Sequence, residues 1–225
     1  MAFARVVDIV DGTLVPQPEK SLAFMDVRSG KVTLMENACP ASGDFMAAFT
    51  NNSHKTAAAY DDGTVCFYDV DAGTDRILEE RYSPNEIFAL AYDKNDEFFL
   101  VLTKMGRLDI YDAATLEPVF RDTPHILKNW SSEHDSADTS RNRVEAEKTS
   151  DGNYLFVTAG NVAYDYGILL DPDSRTVAAE LDNVYCYDSD TNRVFCNGGQ
   201  TVAVSYPIYS LEDLKEWAAE RLAGE

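Results

Sequence analysis

Apolar residues fall along this chain in short runs separated by polar turns. No helical spacing emerges until the last sixteen residues. Lys55-Thr-Ala-Ala-Ala-Tyr60 and Glu97-Phe-Phe-Leu-Val-Leu102 are bounded by Asn, Asp, Ser and Gly, which is how strands closed by tight turns read. One stretch occurs twice in near copy: Asp61-Asp-Gly-Thr-Val-Cys-Phe-Tyr-Asp69 and Lys104-Met-Gly-Arg-Leu-Asp-Ile-Tyr-Asp112. Each has a turn glycine, a short apolar strand, and an aromatic-Asp pair that opens the next turn. Asp26, which ends the weaker copy Ser21-Leu-Ala-Phe-Met-Asp26, extends the series at a constant 43-residue interval (Asp26, Asp69, Asp112). A repeat of that length made of strands predicts β-propeller blades. Registered on it, each unit has four short antiparallel strands with polar turns between them.

The first unit is degenerate, because its middle strand near Leu14-Val15 meets Pro16 and Pro18. After the third unit the period breaks. Residues 123–143 are polar and aperiodic and predict a loop inserted between blades. The pattern resumes from Val144, through Tyr166-Gly-Ile-Leu-Leu-Asp171, and ends in a shortened fifth unit without an outer strand. Its place is taken by Ser210-Leu-Glu-Asp-Leu-Lys-Glu-Trp-Ala-Ala-Glu-Arg-Leu-Ala-Gly224. Ser210 suits the N-cap, Asp213 the first turn, and Leu211, Leu214, Trp217 and Leu222 one apolar stripe. The expected fold is all-β: about five four-stranded blade units over 1–209, in a closed or incomplete ring, and a C-terminal helix over 210–225 packed on the last blade. The chain is then either a complete propeller or the C-terminal part of a longer one.

The glycine, the apolar strand and Tyr68-Asp69 or Tyr111-Asp112 resemble the repeats of the WD40-like β-propellers, which usually carry Trp-Asp there. Met25-Asp26 and Leu170-Asp171 depart further, and the Gly-His pair of that family is missing from every unit. The terminal helix is similar to tails that follow the last blade in some bacterial WD40-repeat proteins. The resemblance implies a non-catalytic interaction platform, at times the sensing part of a larger regulatory chain.

Charge narrows the partners. With 39 acidic and 19 basic residues the net charge is −20, which disfavours nucleic acid and anionic membranes and suits a protein with a basic surface. The acids are spread over many turns, as solubility alone would also have them. No apolar run approaches a membrane span, and no secretory signal opens the chain. Of the four cysteines, Cys66, Cys186 and Cys196 sit in apolar strands as small hydrophobes. Cys186 and Cys196 are placed to face one another across a hairpin, although without an export signal free thiols and a cytoplasmic location are expected.

Chemistry is sparse. Asp69-x-Asp71-x-Gly73 and Asp188-x-Asp190-x-Asn192 begin like calcium loops, but neither has glycine at the sixth position, and strand-connecting turns favour these residues anyway. No HExxH, GxSxG, Walker loop or CxxC occurs, so neither a catalytic set nor a metal or cofactor is indicated. The inserted loop carries His125, Trp130, Glu133, His134, Asp135 and Asp138. Trp130 would anchor either the loop or a partner, and this group is the candidate partner-binding site. The stripe Leu211, Leu214, Trp217 and Leu222 is the candidate helix interface. The expected function is a protein-interaction or sensing module that contacts partners through inter-blade turns and the loop. The alternative is a propeller-type hydrolase or lyase with its site at the mouth of the central channel.

Overall fold

A computed structural model of the chain describes residues 2–5, 7–10, 13–16, 22–35, 45–51, 54–121, 143–160, 165–198, 202–209 and 211–223. The chain divides into two units, Met1–Ser136 and Ala137–Glu225. The first starts with β1 (Ala2–Arg5), β2 (Val7–Val10), β3 (Thr13–Pro16), β4 (Leu22–Met25) and β5 (Val32–Met35). Two four-stranded meanders follow. One is β6 (Phe45–Phe49), β7 (Lys55–Tyr60), β8 (Val65–Asp69) and β9 (Thr74–Ile77); the other is β10 (Ile87–Tyr92), β11 (Phe98–Thr103), β12 (Leu108–Asp112) and β13 (Pro118–Arg121). The second unit holds a third meander of β14 (Arg143–Lys148), β15 (Leu155–Gly160), β16 (Asp165–Asp171) and β17 (Thr176–Asp182). A three-stranded sheet of β18 (Val184–Asp188), β19 (Arg193–Asn197) and β20 (Ala203–Pro207) and the helix α1 (Leu211–Ala223) complete it.

The all-β class, the four-stranded antiparallel sheets and the single C-terminal helix are therefore as the repeat predicts. Three details differ. The first unit does not have an interrupted middle strand: β1 pairs directly with β4, while β2 and β3 pair only with each other. Pro16 lacks the N–H that a central strand must donate on one of its two sides, which suits β3 to a two-stranded hairpin. Second, on the helix expected to pack on the last blade, Leu214 is 46 % and Trp217 57 % exposed. Third, Cys66 is disulfide-bonded and Cys186 is an exposed free thiol. A bulge between Val184 and Cys186 pairs Cys186 with Phe195 and gives Cys196 to Val184, so the two thiols do not face each other across the hairpin.

Turn geometry carries the repeat further than the residues do. Asp26, Asp69, Asp112, Asp171 and Asp188 each begin a hairpin whose fifth residue, Gly30, Gly73, Leu116, Arg175 or Asn192, has positive φ between 51° and 69°. In every case the Asp Oδ1 accepts a backbone N–H two or three residues on: from Arg28, Ala72, Ala114, Asp173 and Asp190 at 2.8–3.1 Å. The carboxylate thus satisfies turn donors that would otherwise turn to water. Leu116 and Arg175 occupy a conformation that costs any residue with a Cβ, held there by the hairpin around them. A different turn precedes each third strand where the near-copy motif has its glycine. Gly63 (φ 86°) donates to the Tyr60 carbonyl and Gly106 (φ 80°) to that of Thr103.

Packing follows strand alternation. In the first unit the sheet β6–β9 is covered on both faces. Ala58, Tyr60, Cys66 and Tyr68 meet Leu22, Phe24 and Met35, whereas Ala57, Ala59, Val65 and Phe67 meet Ile87, Phe99, Val101 and Tyr111. Three successive alanines favour helix by propensity. Here they are all buried, because a central strand sandwiched on two sides needs small residues more than it needs β-branching. Phe67 and Phe99 fill the space they leave, edge to face at 4.7 Å. In the second unit Phe156 of β15 packs with Val184, Tyr187, Val194 and Cys196 of the neighbouring sheet. There the Tyr187 hydroxyl accepts from Ser150 N–H and donates to Asn192 Oδ1, tying two turns together. At the far edge of that sheet the Arg193 Nη2 donates to the Ser205 carbonyl at 3.1 Å.

These turns set two expectations. A Cβ at Gly63 would lie 1.9 Å from the Tyr82 carbonyl oxygen, whereas one at Gly73 meets nothing within 4 Å. Urea denaturation should therefore show Gly73→Ala costing about 1 kcal/mol for its φ alone, and Gly63→Ala about 3 kcal/mol or more. Arg175→Gly, relieved of the same φ, should gain about 1 kcal/mol. The second expectation concerns pH. Backbone N–H groups hold the carboxyls of Asp26, Asp112 and Asp171 below the usual carboxylate range. Their contribution is present above the unfolded pKa and lost as pH falls through the lowered folded values. Asp93 runs the other way, because burial raises it against the N–H groups of Phe98, Asn95 and Glu97; its contribution is lost as pH rises through the folded value. Asp151 is lowered too: burial works to raise it, but its bonds from Thr149 and Asn153 outweigh that. With four groups against one, the melting temperature should fall on acidification below about pH 4, and Asp112→Asn should flatten that fall.

Candidate functional site

In the first unit the Asp-turn ends of β6–β9 and β10–β13 lie side by side and frame an open cleft of about 230 Å³. Strand alternation directs its lining. Lys55, Phe67, Asp69, Thr74 and Arg76 come from one face of β7, β8 and β9, in cross-strand register Lys55↔Asp69↔Thr74 and Phe67↔Arg76. Tyr92, at the end of β10, and Ala113-Ala114, after β12, supply the opposite side. Two polar links join the sheets here. The backbone N–H of Asn51 donates to Asp96 Oδ1 at 2.9 Å, and Arg76 Nη2 donates to the Ala114 carbonyl at 2.9 Å. Lys55 Nζ stands 3.8 Å from Asp69 Oδ2.

The cleft offers an aromatic side wall with charge around it. Tyr92 stacks at a tilt on Phe99, ring centroids 5.2 Å apart, which fixes its ring. Burial and the nearby Asp96 raise the Tyr92 phenol well above its ordinary pKa, while Arg76 opposes them, so the hydroxyl stays protonated and able to donate. Within the lining Asp69 and Asp75 balance Lys55 and Arg76, and the turns next in the chain, with Asp71 after β8, Asp96 and Glu97 after β10 and Asp112 before Ala113, add further acids. Such a site suits a segment that inserts an apolar or aliphatic stem and carries cations to the rim.

The calcium-like motif at Asp69 takes part in this rim. Asp69 Oδ1 accepts from Ala72 N–H, and Asp71 Oδ2 pairs with His54 Nδ1 at 2.8 Å. Both carboxylates are thus engaged with the protein. Among the described residues no three or more His, Cys, Asp or Glu side chains gather where they could hold a metal. The expected partner-binding residues His125, Trp130, Glu133, His134, Asp135 and Asp138 lie outside the described residues. Of the expected helix interface, Leu214 and Trp217 are exposed, while the side chains of Leu211 and Leu222 lie outside the described set. The cleft lining was not singled out by sequence reasoning. Its one signal was Lys55 at the start of β7 and Arg76 within β9, two cations among acidic turns.

At the other, glycine-turn end of the same sheets a second polar group gathers around one carboxylate closed to solvent. Asp109 on β12 is fully buried and accepts from Tyr82 Oη at 2.8 Å and from Arg107 Nε at 3.1 Å and Nη2 at 2.7 Å. Tyr82 also shares a 2.9 Å hydrogen bond with Tyr111, and Glu80 bridges Arg107 and Arg121 at 3.2 and 3.0 Å. Burial first, then the Asp109 charge, raises the Tyr82 phenol far above its ordinary value. Burial likewise raises Tyr111, to about 12. Burial works to lower the Arg107 guanidinium, but its bonds to Asp109 more than reverse this. Both acids, Asp109 and Glu80, are paired and Asp109 is buried, so the group fastens the segment after β9 onto β12.

The chain matches no protein-family model and no curated protein. Among the described residues no helix is long and apolar enough to cross a membrane.

The ion group has a measurable weight. Asp109→Ala leaves Arg107 with Glu80 alone and the Tyr82 hydroxyl without its acceptor, and should cost about 2–3 kcal/mol in urea unfolding. Tyr82→Phe removes the bonds to Asp109 and to Tyr111 and should cost about 2 kcal/mol. In the double variant the two losses should sum to less than their parts, since both act on one carboxylate.

Proposed function

We propose that the chain is a non-catalytic binding module of the β-propeller kind, with WD40-like blades, and that it docks a basic segment of another protein at the Asp-turn end of its first unit. The observation that carries this reading is the cleft between β6–β9 and β10–β13, with the fixed Tyr92 ring inside it and acidic turns around it. Sheets stacked face to face support the propeller part of the reading, as does the recurrence of one Asp-hairpin through five sheets. A charge of −20 supports a basic partner, by raising its local concentration and on-rate. The cytoplasmic part of the proposal rests on the free thiols Cys186 and Cys196, and the disulfide at Cys66 weighs against it.

Selection of random displayed peptides on the whole protein tests the docking site. Enriched sequences should pair Lys or Arg with an aliphatic or aromatic residue. Asp71→Lys with Asp75→Lys, both at exposed positions, should weaken the best of them about tenfold at low salt, and added salt should shrink that difference. Enrichment of acidic or neutral peptides would overturn the reading, as would equal binding to the double variant.

A further inference from the structure

We infer that Tyr92 determines specificity in the cleft: taking the cleft as the docking site of a basic segment, the Tyr92 hydroxyl donates a hydrogen bond to a neutral amide carbonyl of that segment. The buried tyrosines all use their hydroxyls within the protein. Tyr60 and Tyr68 share a bond of 2.7 Å, Tyr82 bonds Asp109 and Tyr111, and Tyr187 bonds Asn192. A phenol away from water is costly to leave unmet. Tyr92, half-buried in the cleft wall, is different. Its ring is held on Phe99, which itself meets Phe67 edge to face. Among the described residues its hydroxyl makes no hydrogen bond, and it is not closed to solvent. A positioned donor is thus left for whatever enters.

The charges around that hydroxyl decide what it can meet. Asp96 and Arg76 act on it with opposite sign. The rest of the lining sets Lys55 against Asp69 and Asp75, and the turns next in the chain set Lys94 against Asp71, Glu97 and Asp112. Both cations of the lining are already engaged, Arg76 Nη2 with the Ala114 carbonyl at 2.9 Å and Lys55 with Asp69 at 3.8 Å. A carboxylate or phosphate would add charge to surroundings that are already acidic. An amide carbonyl accepts the same bond without adding any. It comes either from the main chain of the segment or from an Asn or Gln side chain. A ligand that displaces water from the cleft without offering an acceptor leaves the donor unpaired, which is how the hydroxyl discriminates.

Calorimetry with the tightest basic peptide selected on the whole protein tests this. Tyr92→Phe keeps the ring and its packing, so the melting temperature should not move, while the peptide should bind about fivefold more weakly. Exchange of Asn or Gln for Leu then probes side-chain carbonyls of the peptide. Thioamide substitution of single peptide bonds, which weakens the acceptor, probes those of the main chain. One such change should cost the wild type about fivefold and Tyr92→Phe nothing. Equal binding to wild type and Tyr92→Phe would overturn the inference and leave the docking of a basic segment standing. A selection that enriches no basic peptide would overturn both. A lowered melting temperature in Tyr92→Phe would also count against the inference, by showing the hydroxyl bonded within the protein. So would a dependence on Tyr92 that disappears only when an Asp or Glu of the peptide is removed.

Discussion

The fold depends on one local constraint, the hairpin that opens on an Asp and recurs once in each of five sheets. An Asp side chain takes the N–H groups of the turn, and the residue four positions on must adopt a left-handed backbone. Where that residue is Gly30 or Gly73 the geometry is inexpensive; where it is Leu116 or Arg175 the sheet imposes it. The same register, Asp paired with the residue five positions on, holds in the hairpins at Asp69, Asp171 and Asp188. Because side chains alternate along a strand, a fixed turn length fixes which residues face the next sheet. That is how Phe67 and Arg76 come to share a face, one in the core and the other at the cleft.

The two polar ends of the first unit's sheets differ in kind. At the glycine-turn end the charges are mutually satisfied around the buried Asp109, with Arg107, Glu80 and Arg121 reaching towards the surface. At the Asp-turn end they are more exposed, and Tyr92, Phe67, Ala113 and Ala114 bring apolar surface to them. A buried network rewards completeness, since a missing partner leaves an unpaired charge. An open rim tolerates exchange of partners, which is what recognition needs.

Much of the architecture was legible in the chain. The 43-residue interval, the turn glycines and the runs around them located the strands, because hairpin turns make narrow chemical demands. The left-handed Leu116 and Arg175 were not legible, since neither residue favours that conformation; only the sheet around them does. The bulge at Tyr185 was hidden for a related reason: it depends on how β18 meets β19 and leaves no compositional trace. The helix was visible, but its stripe alone did not say what would cover it. The cleft was invisible because its lining combines residues from Lys55 to Ala114, and ordinary strand-end residues become a site only once two sheets lie side by side.

The link from Arg193 to the Ser205 carbonyl bears on solubility. Along β20, Ile208 and Val202 bond inward to β19, so the groups that alternate with them, on Ala203, Ser205 and Pro207, point away from the sheet. Pro207 has no N–H to offer, and the Ser205 carbonyl is already taken by a cation. An incoming strand would have to displace the guanidinium and would still meet a gap in the ladder. A sheet one strand short of its neighbours can therefore end in solvent without acting as a template for fibrous stacking.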